Sequence, residues 1–389
     1  MSQFIPLSVP NFSGKEAEYV LQAVKTEWVS TAGPYVRDFE KSVAQYVNAP
    51  GAVACQSGTA GLHTAMLVCG VTAQDMVIVP TLTFIAAVNP VRYIGAEPAF
   101  MDCDDSLCMD PEKVEQFCRE ECELRDKWLY HKRTGRRVPA MVVVHVFGNM
   151  ADMVRLLDIA RRYHLVLIED ATEALGTRYE EGPLAGKYAG TIGDMGVFSF
   201  NGNKIITTGG GGMMVSDDLR KLAHARHLTT QAKSDEQNFT HDEIGYNYRL
   251  TNLQAALGLA QMEQLETFIG IKTRNYEFFR AGIEKIEHAK LLAYRPGVRS
   301  NHWFYALYCE DGLKLGRDGI IEAMKQHSIQ TRPVWGLIHQ QKPYQSALAY
   351  YIEKAQDAWE RIVNIPCSSN LTQEDAARVM DCLTALLTK

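Results

Sequence analysis

Two ionisable residues close two of the most apolar runs in the chain: Asp170 ends LVLIED, and Lys204 ends GVFSFNGNK. A carboxylate at the carboxyl end of a buried strand stands where an α/β sheet presents reactive groups, although Asp170 alone could equally cap a following helix. Together the pair matches the needs of pyridoxal phosphate. That cofactor takes a lysine amine as its Schiff-base partner and an acid beside its pyridine nitrogen. The acid must stay ionised there, because the protonated ring is the electron sink and a neutral ring stabilises a substrate carbanion much less.

The cofactor's phosphate asks for backbone N–H groups at a helix start and for small hydroxyls. Ser57, Gly58 and Thr59 in CQSGTAGLHTAML supply them directly before a helical pattern, and Ser199 adds a hydroxyl five residues before Lys204. Phe84 in VPTLTFIAAVNP follows a strand and a proline turn, where it could stack on the ring or simply pack in the core. Gly209 to Gly212 would let the backbone turn with positive φ and pass close to the cofactor and its lysine. A nucleotide P-loop is the competing reading, but the run lacks a GK[ST] ending, and no GxGxxG follows the first strand.

Residues so far apart in sequence need a rigid frame. Seven short apolar runs, AVAC, MVIVP, EPAFMDC, AMVVVHVFG, LVLIED, MGVFSF and GGMMVSD, alternate with helical patterns between Gly51 and Asp217. This predicts a mostly parallel seven-stranded sheet buried between helices, an α/β fold. A long periodic run from Thr251 to Ile286 reads as helix with one break and leads into a smaller α+β unit. There NHWFYALYCEDG reads as a strand, with helices at LGRDGIIEAMKQHSI and AARVMDCLTALLTK. The division expected is a large domain over 1–250 and a small one over 251–389. A charge-rich insertion, Lys113 to Ala140, is expected to hold a helix and a turn at RTGR on the rim.

The 389 residues carry 40 Lys and Arg against 46 Asp and Glu, a net charge of −6 without long single-sign blocks, which argues against nucleic acid or a membrane surface as partner. Nine scattered cysteines and an opening without a signal-peptide pattern suggest a reducing, cytoplasmic setting. Cys118 and Cys122 lack a second pair, and His224 and His227, three apart in AHARH, lack evident further ligands, so no metal is assigned.

In order along the chain, EWVSTAGPYVRDFE, QSGTAGLHTAM, VPTLTFIAAVNP, VVHVFGNMADM, IEDATEALGT, GDMGVFSFNGNKIITTGGGGMM, GYNYRLTNLQAALGLAQ, TRPVWGLIH and NIPCSSNLT resemble the DegT/DnrJ/EryC1/StrS family of pyridoxal-phosphate sugar aminotransferases. The resemblance implies fold type I, with Lys204 carrying the cofactor and shuttling protons. Asp170 would pair with the pyridine nitrogen. Glu173, where many members have glutamine, would lie near the ring's phenolic oxygen. Gly58, Thr59 and Ser199 would hold the phosphate, with Phe84 on the ring. Asn247 would reach that phosphate from a second subunit, making a homodimer part of the site. Some relatives are dehydratases with histidine in place of Lys204, so the lysine implies transamination.

The implied reaction moves nitrogen from L-glutamate to a nucleotide-linked keto sugar. The wording FSFNGNKIITTGGGGM, with the insertion ending HKRTGRRVPAMVVVHVFGN, is similar to the branch that aminates the UDP-linked 4-keto-6-deoxy-N-acetylglucosamine for legionaminic acid or bacillosamine-type glycans. A GDP-4-keto-6-deoxymannose aminotransferase is its nearest rival. A keto-cyclitol substrate and a non-catalytic regulatory protein are further alternatives. Thr31, Arg332 and Trp335 lie in segments that, by resemblance, approach the sugar nucleotide, and His145 would pack near the cofactor. Each could also serve an ordinary turn or packing role.

Overall fold

The computed structural model describes residues 3–235 and 237–388. Met1, Ser2, Glu236 and Lys389 lie outside the described residues, the last of them being the end of the expected terminal helix. All seven predicted strands form, and an eighth joins them. The order across the sheet is Ala52–Cys55, Gly212–Val215, Met195–Ser199, Val166–Asp170, Ala140–Val144, Met76–Pro80, Glu97–Met101 and Leu348–Tyr350. The expected count of seven is therefore corrected to eight. Leu348–Tyr350 comes from the far end of the chain and pairs in parallel with Ala99 to Met101. Its three residues are too few to show a period in sequence.

Every strand runs the same way except Gly212–Val215, which is antiparallel to both its neighbours. Most strand residues are buried, which is why the runs read as continuously apolar rather than alternating. Pairing of Val144 with Asp170, and of Asp170 with Val197, puts Asp170 in the middle of the sheet at its carboxyl edge. Ser199 ends the adjacent strand at that same edge.

The long helical run breaks as expected into Asn252–Met262 and Leu265–Ile283. The first helix starts with a complete capping box between Thr251 and Gln254. The remainder builds a four-stranded antiparallel sheet, ordered Ala289–Leu291, Tyr305–Cys309, Ile362–Ile365 and Arg332–Pro333, with helices Arg317–Gln326 and Gln373–Leu387. The chain's beginning returns here too, since Ile5 bridges Ile329 and Cys367 N donates to Leu7 O.

The insertion holds the expected helix, Pro111–Glu120, followed by a hairpin of Cys122–Arg125 and Trp128–His131 that its charge conceals in sequence. Arg137, just past the hairpin, pairs with Asp75 at 2.8 Å while its guanidinium lies 4.7 Å from the centre of the Trp128 ring. Asp75 immediately precedes the strand Met76–Pro80. The insertion thus sits at the amino edge of the sheet, opposite Asp170.

Candidate active site

At the carboxyl edge a cavity of about 330 Å³ opens, lined by Gly58, Thr59, Phe84, Asp170, Glu173, Ser199, Lys204 and Trp335 among others. Eight of the proposed site residues thus meet in one chain. The helix Gly58–Val68 presents its N-terminal end to this space. Ser57 caps it by accepting from Ala60 N at 3.0 Å. The helix packs across the strands that end in Ser199 and begin with Gly212.

The glycine run has two separate uses. Gly209 turns the chain at φ +76°, the left-handed region that favours glycine. Gly212 lies between Ser199 and Cys55 in register, and a Cβ there would come within 2.7 Å of the Ser57 carbonyl. The bare backbone therefore admits the Ser57–Gly58 segment itself, while Gly210 and Gly211 line the cavity.

Three buried ionisable groups share this space. Asp170 is 3% exposed, and the bond recorded to its carboxylate is from Thr172 N at 3.0 Å. Burial raises its pKa, against the opposing pull of Thr172, Lys204 and His145. Glu173 accepts from Phe147 N at 2.8 Å, and its other oxygen lies 3.7 Å from Lys204 Nζ. Burial pushes this carboxyl up to about 7, so it can hold a proton at neutral pH. Lys204, with 12% of its side chain exposed, is pushed down from the usual lysine range by burial, while Glu173 and Asp170 pull it back. Its ammonium sits 4.1 Å from the centre of the Trp303 ring.

Trp303 was hidden inside a run read as strand, which in fact begins only at Tyr305. Side-chain bonds place it instead. Asn301 Nδ2 donates to the carbonyls of Glu173 and Leu175, and Trp303 Nε1 donates to Asn203 O at 2.8 Å. Thr83, Thr172, Asn201 and Asn203 also line the cavity and carried no distinguishing sequence signal beyond their nearness to Phe84, Asp170 and Lys204. Phe84 is 54% exposed at the mouth, 6.5 Å from Trp335 between ring centroids.

Other predicted residues lie elsewhere in the chain. Thr31, Arg332 and Asn247 are exposed and do not line the cavity. His145 is not a lining residue either. It is held behind the sheet edge, with Nδ1 accepting from Ala151 N at 3.2 Å and Nε2 bonded to Glu169 at 2.8 Å. The Ala151 N–H can only donate, which puts the imidazole proton on Nε2.

The donor set suits pyridoxal phosphate: an amine, a carboxylate with acceptor capacity to spare, and a helix start, around a cavity within the range of about 300–1,000 Å³ usual for ligand sites. The profile of the DegT/DnrJ/EryC1/StrS aminotransferase family matches residues 10–384. The chain belongs to this family. It is accordingly a pyridoxal-phosphate-dependent sugar aminotransferase. EpsN of Bacillus subtilis is 35% identical over 99% of this chain and 96% of its own. The GDP-perosamine synthase of Caulobacter vibrioides is 33% identical over 98% of each chain. The crystal structure of DesI with its TDP-sugar product superposes with a TM-score of 0.87 at 26% identity, covering 99% of this chain and 93% of DesI. Among the described residues no helix is long and apolar enough to cross a membrane.

Proposed function

We propose that this aminotransferase moves the amino group of L-glutamate to the 4-keto carbon of a nucleotide-linked 4-keto-6-deoxy sugar. The observation that carries the reading is the meeting of Lys204, Asp170 and the Gly58 helix start in one cavity. When bound, pyridoxal phosphate supplies a carbonyl carbon for the amine and a ring that takes up the electron pair freed at the substrate carbon.

Each residue then has a defined task. Lys204 Nζ, its basicity lowered by burial, is the group placed to take and return the proton at the substrate carbon. Asp170, whose Oδ1 accepts from Thr172 N, would use its other oxygen to keep a proton on the ring nitrogen of the bound cofactor. Glu173, titrating near neutrality, offers a proton to an oxygen beside Lys204. Gly58, Thr59 and Ser199 hold the phosphate, and Phe84 with Trp335 covers the mouth.

Asn247 completes this phosphate site from a second copy of the chain, with Thr31 and Arg332 approaching the sugar nucleotide. The segment before Asn247 supports such a contact, because Ile244 is 84% exposed and Phe239 is 71% exposed. For the nucleotide, likeness to a GDP-perosamine synthase over nearly both chains favours GDP. The UDP-linked N-acetyl sugar drew partly on the insertion, which lies at the sheet's opposite edge and lends that choice no support.

The test has two stages. The cofactor-loaded protein's visible absorption should give way to near-ultraviolet absorption on adding L-glutamate. The product form should then aminate GDP-linked 4-keto-6-deoxy sugar in preference to UDP-linked sugars and cyclitol ketones. Amination of a cyclitol ketone alone would overturn the sugar reading, and preference for the UDP sugar would overturn the choice of GDP.

A further inference from the structure

His224 and His227 lie one turn apart on the helix Leu219–Thr229, at its basic C-terminal end. The sequence alone shows no further ligands beside them, but the fold brings two. After that helix the chain forms the hairpin Lys233–Asp235 with Thr240–His241 and returns over it. The return is fixed by backbone bonds from Ala232 N to His227 O at 2.8 Å and from Asp242 N to Ala232 O at 3.3 Å. Asp242 and Glu243 thereby arrive opposite the two imidazoles.

The donor atoms are already gathered. His227 Nε2 lies 2.6 Å from Asp242 Oδ1 and 4.0 Å from Glu243 Oε1. His224 Nε2 lies 3.0 Å from Glu243 Oε2. Donors of His227, Asp242 and Glu243 all fall within 4.8 Å of one another, whereas His224 stays outside this group. A tetrahedral Zn²⁺ with bonds of about 2.0–2.2 Å sets its donors roughly 3.3–3.6 Å apart, a spacing that these separations bracket. One imidazole with two carboxylates also forms a mixed nitrogen and oxygen set of three protein ligands that zinc accepts, with water in the fourth position.

We propose that His227, Asp242 and Glu243 form a divalent-cation site of the zinc type, with a fourth position left to water, that pins the segment at Asp242 and Glu243 to the helix Leu219–Thr229. The His227 Nε2 proton that Asp242 accepts must leave that nitrogen on binding: a neutral imidazole moves its proton to Nδ1, and an imidazolium releases one proton to solvent. The carboxylates need no proton change. The same segment leads directly into Asn247, so the cation would hold the stretch that, on the reading proposed above, meets the second subunit. The metal site itself does not depend on that reading.

Asp242 and Glu243 are exposed, so their variants retain the fold. The cofactor-loaded protein is exposed to Zn²⁺, desalted and assayed for bound metal by mass spectrometry. We expect one ion per chain in the wild type. His227→Ala and Asp242→Asn should each bind Zn²⁺ at least roughly tenfold more weakly. Cys69→Ser/Cys382→Ser, which removes the two cysteines that are not fully buried, should bind it unchanged. Co²⁺ in place of Zn²⁺ should give the visible bands of a tetrahedral ion, lost in His227→Ala. Absence of retained zinc from the wild type, or equal zinc in wild type and Asp242→Asn, would leave only paired surface charges and overturn the site. Loss of zinc in the cysteine variant would overturn it as well. Glutamate-driven spectral change is scored separately, so failure of the metal site and failure of the aminotransferase reading are told apart.

Discussion

Glu169 and Asp170 are neighbours at the end of one strand and point to opposite sides of the sheet, and their surroundings differ sharply. Glu169 is fully buried and accepts from Gly190 N at 2.8 Å, Ile192 N at 2.6 Å and Gly193 N at 2.5 Å, besides its bond with His145. Asp170 is nearly as buried but has Thr172 N as its recorded donor. A buried carboxylate with every lone pair engaged is a fastener. One left with spare acceptor capacity beside a cavity is waiting for a ligand. On the function proposed above, adjacent residues of like chemistry divide structural from catalytic duty, and the division depends on what lies on each face.

Variants can break this contrast. Lys204→Ala, the cavity's amine, should lower turnover by about 10⁴-fold or more while the fold survives, as read by steady-state rates and circular dichroism. Retention of wild-type rates would remove Lys204 from its role. Asp170→Asn keeps an acceptor for Thr172 N and sheds a charge that burial disfavours. It should leave stability within about 1 kcal/mol of wild type yet cost about 10²-fold or more in rate. Glu169→Gln should do the reverse to stability, losing about 3–5 kcal/mol by denaturant unfolding, because a buried network loses its charge and meets a misplaced donor. Equal stability losses at the two positions would erase the distinction.

Glu173 sharpens the comparison through pH. Its carboxyl titrates near 7 in the folded protein against an ordinary 4.5. The folded state therefore holds a proton that the unfolded chain has lost, and stability falls as pH rises from about 4.5 through 7, by up to roughly 3 kcal/mol. Glu173→Gln removes this dependence. Its stability relative to wild type, measured without cofactor, should climb between pH 5 and pH 8, and a constant gap would contradict the assigned burial. The smallest effect is expected at Asn247→Ala, which, on the proposed contact from a second copy, should weaken cofactor retention on dialysis without changing the oligomeric state read by gel filtration.

The sheet was legible because its strands are buried on both faces, which writes AVAC, MVIVP and LVLIED as uninterrupted apolar runs. The hairpin after Cys122 was not, since Glu123, Leu124 and Arg125 all face solvent and leave no alternation to detect. Asp170, Lys204 and the Ser57 cap were visible because strand ends and helix starts have recognisable grammar. Trp303 was invisible for the opposite reason. Its position follows from Asn301 bonding back to the Glu173 and Leu175 carbonyls, a long-range contact that no local pattern encodes. The ligand-like grouping around His227 was lost in the same way, because Asp242 and Glu243 meet it only through the turn of a hairpin.

The eighth strand has a consequence for how the molecule is born. Leu348–Tyr350 covers the edge at Glu97–Met101, and Ile5 finds its partner only at Ile329. On the ribosome, the first hundred residues therefore emerge with a strand edge whose partner in the folded sheet is not made until residues 348–350. Such late, long-range closure slows folding and leaves a template for wrong pairing in the meantime. Completion of this sheet waits for residues 348–350, and a chain released short of them would leave that edge uncovered.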